Sequence, residues 1–158
     1  MRLLKSESDA WVFRLSRLER SMFLQTLERY PLVPPAHHRL TRQAAPVPQD
    51  AEPLLQQSLA EEKSSNRRQL DLFLANEHKF HADTHGARLS LTRDEMEWLL
   101  QILNDVRVGC WLQLGCPDPD EGKPPVVNER TAPYLLPMEI AAHLQCALLE
   151  ALGGRGGA

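Results

Sequence analysis

Five potential metal ligands lie within nine residues, in the segment EHKFHADTH that runs from Glu77 to His85. Imidazole and carboxylate groups suit zinc, iron or manganese. The spacing nevertheless matches no metal motif with a defined geometry, such as H-E-x-x-H on a helix, and it falls where a helix is expected to end. We therefore predict solvated side chains and no cofactor here. A metal site remains the alternative, with these candidate ligands: His78, His81, Asp83 and His85.

A second candidate centre is Arg107, which lies within the stretch Thr92–Gly115. Winding that stretch as a helix at 100° per residue places Arg107 in the main apolar stripe. Arginine is rarely buried unless it is paired, and no acid lies three or four residues away on this helix. Glu62 is the first choice of partner, because Glu62 and Asn66 interrupt the apolar face of another predicted helix. A structural ion pair, a side chain that snorkels to solvent and a binding pocket all remain open.

Further polar and aromatic candidates lie around this centre. We assign Asn104 and Asp105 to an interaction site or a structural polar core, together with His143 on the edge of the last predicted helix. Trp98 and Trp111 project from opposite edges of the 92–115 helix. At most one of them is expected to be enclosed by the fold. We predict that the other lies at a dimer contact or under a Pro-rich loop.

Capping signals define the elements that position these residues. Thr92 and Glu95 form a capping box, and Gly115 followed by a proline is a stop signal, which together predict one helix over 92–115. Ser16 and Glu19 form a second box, which opens a helix that continues to about Tyr30.

The two capped segments are alike at an offset of 76 residues. We predict two strand-to-helix units in which residues 87–91 pair with residues 10–15. True duplication and shared capping chemistry both account for the likeness. The matching pairs are Leu15 and Leu91, Arg17 and Arg93, Glu19 and Glu95, Leu24 and Leu100, Gln25 and Gln101, and Leu27 and Leu103.

The remaining patterns complete a predicted single helical domain over residues 1–158. A second helix is expected from Asp50 to about Glu77, and a last one from about Met138 to Leu152. Residues 31–50 and 116–131 are predicted Pro-rich loops, and 153–158 a frayed tail. The predicted fold is mainly α. It is a bundle of about four helices around the central one, with a small antiparallel ribbon from residues 2–5, 10–15 and 87–91.

Composition narrows the functional classes. The chain has 158 residues and a net charge of −3, which argues against nucleic acid as a partner. No apolar run reaches the roughly 20 residues of a membrane span. Three cysteines without a CxxC motif indicate reduced thiols in a cytoplasmic protein, with Cys116 the exposed one. Phosphate-binding loops and known nucleophile motifs are missing, so the prediction for enzymatic activity leans towards none.

The central helix carries a family resemblance. The core Leu103-Asn104-Asp105-x-Arg107, the later Leu114-Gly115 and the N-terminal VFRL resemble an uncharacterised bacterial family, domain of unknown function 2017. The resemblance implies a mostly helical cytosolic fold and no known activity.

Together these observations predict a non-enzymatic interaction or regulatory module. Its partner would be another protein or a second copy of the chain, as in a homodimer. The alternative is a small protein that binds a metal or ligand, through either the 77–85 cluster or a pocket around Arg107.

Overall fold

The computed structural model describes residues 1–7, 10–34 and 51–154 of the chain. In this part of the chain, four helices lie beside a four-stranded antiparallel sheet of strand order β1-β2-β4-β3. The elements in chain order are β1 (Arg2–Glu7), β2 (Ala10–Ser16), α1 (Arg17–Glu28), α2 (Ala51–Ala75), β3 (Phe80–Asp83), β4 (Gly86–Leu91), α3 (Arg93–Gln113), a 3₁₀ turn (Ala132–Tyr134) and α4 (Leu135–Gly153).

The predicted mainly α bundle is wrong, because the sheet forms one wall of the core and the fold is mixed α/β. Strand side chains alternate between two faces, and one face is buried under the helices. The predicted strands at 2–5, 10–15 and 87–91 correspond to β1, β2 and β4, but β3 was missed. The side chains that the sheet buries are Trp11, Phe13, Leu15, Phe80, Ala87, Leu89 and Leu91.

Both predicted capping boxes are confirmed. The Ser16 hydroxyl accepts from the Glu19 backbone N–H, and the Glu19 carboxylate accepts from the Ser16 N–H. Thr92 and Glu95 make the same reciprocal pair at the start of α3. The central helix is therefore a single unbroken rod that ends within two residues of the predicted boundary.

Strand register supports a repeated unit at the offset of 76 residues. Phe13 pairs with Leu89, its own equivalent at that offset, and the β2–β4 pairs on either side are symmetric about this one. The β1–β2 pair Lys5–Val12 has as its equivalent the β3–β4 pair His81–Arg88. The strand pairing of the two ββα segments, β1-β2-α1 and β3-β4-α3, is therefore alike, whereas the helices that follow pack differently, because α4 lies against α3 and α2 makes no comparable contact with α1 in the described structure.

The core lies between the sheet and the helices α1, α3 and α4. α3 and α4 make the most extensive helix–helix contact in the described structure. The segment Ala132–Gly153, which includes α4, is long and apolar enough to cross a membrane by length and composition alone, a test that helices of soluble cores also pass. The buried side of α3 consists of Met96, Leu99, Ile102, Leu103, Val106, Gly109 and Cys110.

Some predictions fall outside the described residues. These are most of the 31–50 loop, the Asp50 cap and the end of the predicted 153–158 tail. The loop at 116–131 is described. Gly115, the residue before it, lies in the left-handed region at φ 81°.

Candidate functional site

Two openings flank α3, and they differ in chemistry. We name the first the polar cleft. It lies between α2 and α3, encloses about 510 Å³, and is lined mainly by Tyr30, Val33, Leu59, Glu62, Lys63, Asn66, Gln101, Asn104, Asp105 and Val108. We name the second the Trp111 groove. It lies between α3, α4 and the 116–131 loop, encloses about 530 Å³, and is lined by Arg107, Val108, Trp111, Pro117, Pro119, Pro125, Leu135, Met138, Glu139 and Ala142.

The polar cleft is built on a buried ion pair between Lys63 and Asp105, whose side chains are 11% and 12% exposed. The Lys63 ammonium also donates to the Val33 carbonyl at 2.5 Å. The second oxygen of Asp105 accepts the backbone N–H groups of Leu32 and Val33, at 2.6 and 3.1 Å. The pair therefore fastens α2 and the segment after α1 to the central helix.

The predicted Glu62–Arg107 pair is wrong: among the described residues Arg107 bonds only to Asn104 and Glu62 makes no ion pair. Each helical residue turns the side-chain direction by about 100°, so Lys63 reaches Asp105 on α3 while Glu62 lies exposed at the edge of the cleft. The polar stretch of α2 around Glu62 and Asn66 does contact the central helix, as the sequence pattern predicted. The charges are reversed from the prediction, with the cation on α2 and the carboxylate on α3.

Asn66 and Trp98 form a second contact on this flank of α3. The Trp98 indole Nε1 donates to Asn66 Oδ1 at 3.1 Å. Its ring meets Phe73 edge-on, with centroids 5.7 Å apart. Both groups are thus used within the fold.

The Trp111 groove has a rim ordered by hydrogen bonds. Trp111 is 37% exposed, and its indole Nε1 donates to the Pro117 carbonyl at 2.9 Å. The Val126 N–H donates to the Leu114 carbonyl at 2.8 Å, and the Thr131 hydroxyl donates to the Val126 carbonyl at 2.6 Å. The structure thus places Trp111 against the Pro-rich loop, one of its two predicted positions.

Among the residues that the structure describes, Arg107 and Glu139 are the only charged groups that line this groove. Within residues 1–7, 10–34 and 51–154, the Arg107 guanidinium makes one hydrogen bond, to Asn104 Oδ1 at 3.3 Å, and no ion pair. Glu139 is exposed and also has no ion pair in this part of the chain. The groove therefore combines apolar walls with two charges that the described fold does not use.

The candidate metal ligands are not brought together. Asp83 accepts two hydrogen bonds from Arg14, at 2.6 and 2.9 Å, which hold the pKa of its carboxyl well below its usual range. His81 projects beside Arg88 on the exposed sheet face, and His78 and His85 lie in turns. Across the described ranges, no group of three or more His, Cys, Asp or Glu side chains is placed to hold a metal ion.

His143 and the thiols lie apart from both openings. His143 is exposed on α4. Cys110 is buried, and burial raises the pKa of its thiol to about 11. Cys116, predicted to be the exposed thiol, is half-buried, and Cys146 is the exposed one.

Sequence reasoning missed Lys63, Met138 and Glu139 as lining residues. The polar interruption of α2 marked the neighbourhood of Lys63. No local signal marked the other two, because the groove depends on how α4 lies against α3. Comparisons with protein-family models, with curated proteins and with solved structures give no match. The resemblance to domain of unknown function 2017 therefore stays a prediction.

Proposed function

We propose that the protein is a non-enzymatic interaction module that binds a short apolar segment of a partner protein in the Trp111 groove, with a carboxylate of that segment on Arg107. The single observation that carries the proposal is the combination, on one rim, of a partly exposed, oriented indole with a guanidinium that has no ionic partner among the described residues. The proposal follows from three properties of the groove.

The first property is the state of Trp111. Its indole N–H is already satisfied by the Pro117 carbonyl, so an incoming group need not supply an acceptor. The exposed ring surface then favours an apolar side chain. Tryptophan is enriched among the residues that dominate binding energy at protein interfaces. Prolines line one wall of this groove, and because the proline ring fixes φ, little backbone conformational entropy is lost there on binding.

The second property is charge. Arginine carries five N–H donors in a planar fork that matches a carboxylate. Within the part of the chain that the structure describes, Arg107 makes one long hydrogen bond. Glu139 on the α4 side opposes a second negative charge. The occupant should therefore carry its carboxylate at the α3 side of the groove.

The third property is the scarcity of catalytic groups in the lining. None of the ten lining residues is a Ser, Thr, Cys, His, Lys or Tyr. Covalent catalysis and proton transfer use those side chains or carboxylates, and Glu139 is the one carboxylate among these ten residues, with no second acid or base beside it. Binding without chemistry is the function that this lining supports best.

The test is selection of peptides from a random display library on the full chain. We expect selected peptides to combine an apolar residue with Asp, Glu or a free C-terminus. Trp111→Ala should weaken their binding at least about tenfold, since an interface anchor contributes about 2 kcal/mol or more. Arg107→Gln should weaken acidic peptides more than their amidated counterparts.

Two exposed residues on α2 provide matched controls. Leu72 is 74% exposed and Arg68 is exposed, and both lie outside the groove lining. Leu72→Ala and Arg68→Gln should leave affinity unchanged. The proposal fails if no selected peptide depends on Trp111. It also fails if the wild-type chain self-associates through Trp111, because the occupant would then be a second copy.

A further inference from the structure

The exposed face of the sheet carries a row of three arginines that ends at a histidine. Register places Arg2 opposite Arg14, Arg14 opposite Arg88, and Arg88 opposite His81. These four side chains, which we call the cationic row, cross all four strands in order β1-β2-β4-β3. They lie on the face opposite Trp11, Phe13 and Leu15, and therefore away from the helices and from the Trp111 groove.

Such a row is unfavourable for the isolated fold. Neighbouring strands are about 4.8 Å apart, and like charges directly opposite one another destabilise a sheet. Among the strand side chains described on this face, Asp83 is the only acid, and Arg14 holds it in a two-pronged pair. Arg2, Arg88 and His81 make no side-chain hydrogen bond or ion pair within the described ranges.

The row also contrasts with the chain as a whole, which has a net charge of −3. Positive charge is thus concentrated on one face of a protein that is negative as a whole. Local fields of this kind attract partners of opposite charge and raise association rates.

We propose that the cationic row is a docking surface for an acidic segment of a partner protein. It is separate from the Trp111 groove and does not depend on that groove's function. The row spans three strand spacings, about 14 Å. An extended peptide repeats its same-face side chains about every 6.8 Å, so acidic residues at alternating positions can reach Arg2 and Arg88 together.

Two observations favour carboxylates over nucleic acid on this surface. Arg14 already binds the Asp83 carboxylate through both terminal nitrogens of its guanidinium. This pair shows how an arginine on this face can bind a carboxylate. No aromatic side chain is described on the exposed face of these strands. Single-stranded nucleic acids are usually bound by basic grooves that combine with stacking aromatics.

The test is fluorescence anisotropy of a labelled short peptide that alternates Glu and Ser, at low ionic strength. A peptide that alternates Gln and Ser is the neutral control. We expect the full chain to bind the acidic peptide and not the neutral one. The double variant Arg2→Ser with Arg88→Ser should lose about tenfold in affinity, as expected for two charge contacts of about 0.7 kcal/mol each, and added salt should weaken binding.

A second double variant with the same change in net charge distinguishes the loss of the cationic row from a general loss of positive charge. Arg68 on α2 and Arg130 in the 116–131 loop are exposed arginines away from the sheet. Arg68→Ser with Arg130→Ser should retain wild-type affinity, as should Trp111→Ala. Equal loss in both double variants would overturn the proposal. So would tighter binding of an oligothymidylate of equal charge than of the acidic peptide, or no binding of the acidic peptide.

Discussion

The two flanks of α3 are similar in size and opposite in how they use their charged groups. In the polar cleft, Lys63 and Asp105 are buried together, and each makes further bonds to the backbone near Val33. In the Trp111 groove, Arg107 and Glu139 have no ionic partner within the described residues. A buried charge cluster therefore marks a structural fastening on one side of the helix. On the other side, Arg107 and Glu139 lie beside a partly exposed indole, and we propose this flank as the surface for a partner.

The largest expected effect comes from breaking the fastening with Asp105→Ala. This change removes the carboxylate that pairs with the Lys63 ammonium and accepts two backbone N–H groups. The expected loss in unfolding free energy is about 3–5 kcal/mol. Urea denaturation followed by circular dichroism measures it.

Asp71 provides the matched control, because its ion pair with Arg67 is partly exposed and lies along one helix. Asp71→Ala should cost only about 0.5 kcal/mol. Equal losses for the two alanine variants would show that the cleft pair is no more structural than a surface pair.

An intermediate effect is expected at Gly109, where α3 contacts Leu32. A Cβ at this position would lie 2.5 Å from Leu32 Cγ and 2.6 Å from its Cβ. Gly109→Ala should therefore destabilise the fold by about 1–3 kcal/mol through overpacking. Gly153→Ala in α4 meets no atom within 4 Å and should be neutral or slightly stabilising. A neutral Gly109→Ala variant would show that Leu32 is not held against α3.

The smallest effect on stability is expected on the other flank. Trp111→Ala removes one hydrogen bond and a partly exposed ring, so its cost should be about 1 kcal/mol. Trp98→Ala removes a ring that also packs on Phe73 and should cost more. Thermal unfolding of both variants gives the order, and a larger loss at Trp111 would contradict the assignment of the groove as a binding surface.

Local signals in the sequence were enough to predict the helix starts and the central pairing. The capping boxes at Ser16 and Thr92 consist of hydrogen bonds to a glutamate three positions later, so they depend on local sequence and not on distant parts of the chain. The offset of 76 residues led to the prediction that β4 pairs with β2, and the register shows the same offset in both hairpins. Local capping contacts and a strand pairing that recur at a fixed offset could therefore be predicted from the sequence.

Features that depend on how the elements orient and pack in the folded chain could not be predicted from the sequence. β3 is only four residues long and lies in a segment whose His and Asp residues suggested metal binding. Gly86 must lack a side chain because a Cβ there would lie 1.9 Å from the Leu15 carbonyl oxygen, a contact that only the folded sheet creates. The choice of Lys63 over Glu62 depends on the rotation of α2 about its axis, which local pattern does not determine.

Hydrogen–deuterium exchange of the chain, free and bound to a peptide selected on the Trp111 groove, tests the central contrast most directly. We predict slower exchange on binding for backbone amides of the 116–131 loop and the first turns of α4, with no change for residues 30–33 and 59–66 around the polar cleft. Protection of 30–33 and 59–66 with none in the loop would contradict it, because the partner would then occupy the flank that we assign to structure.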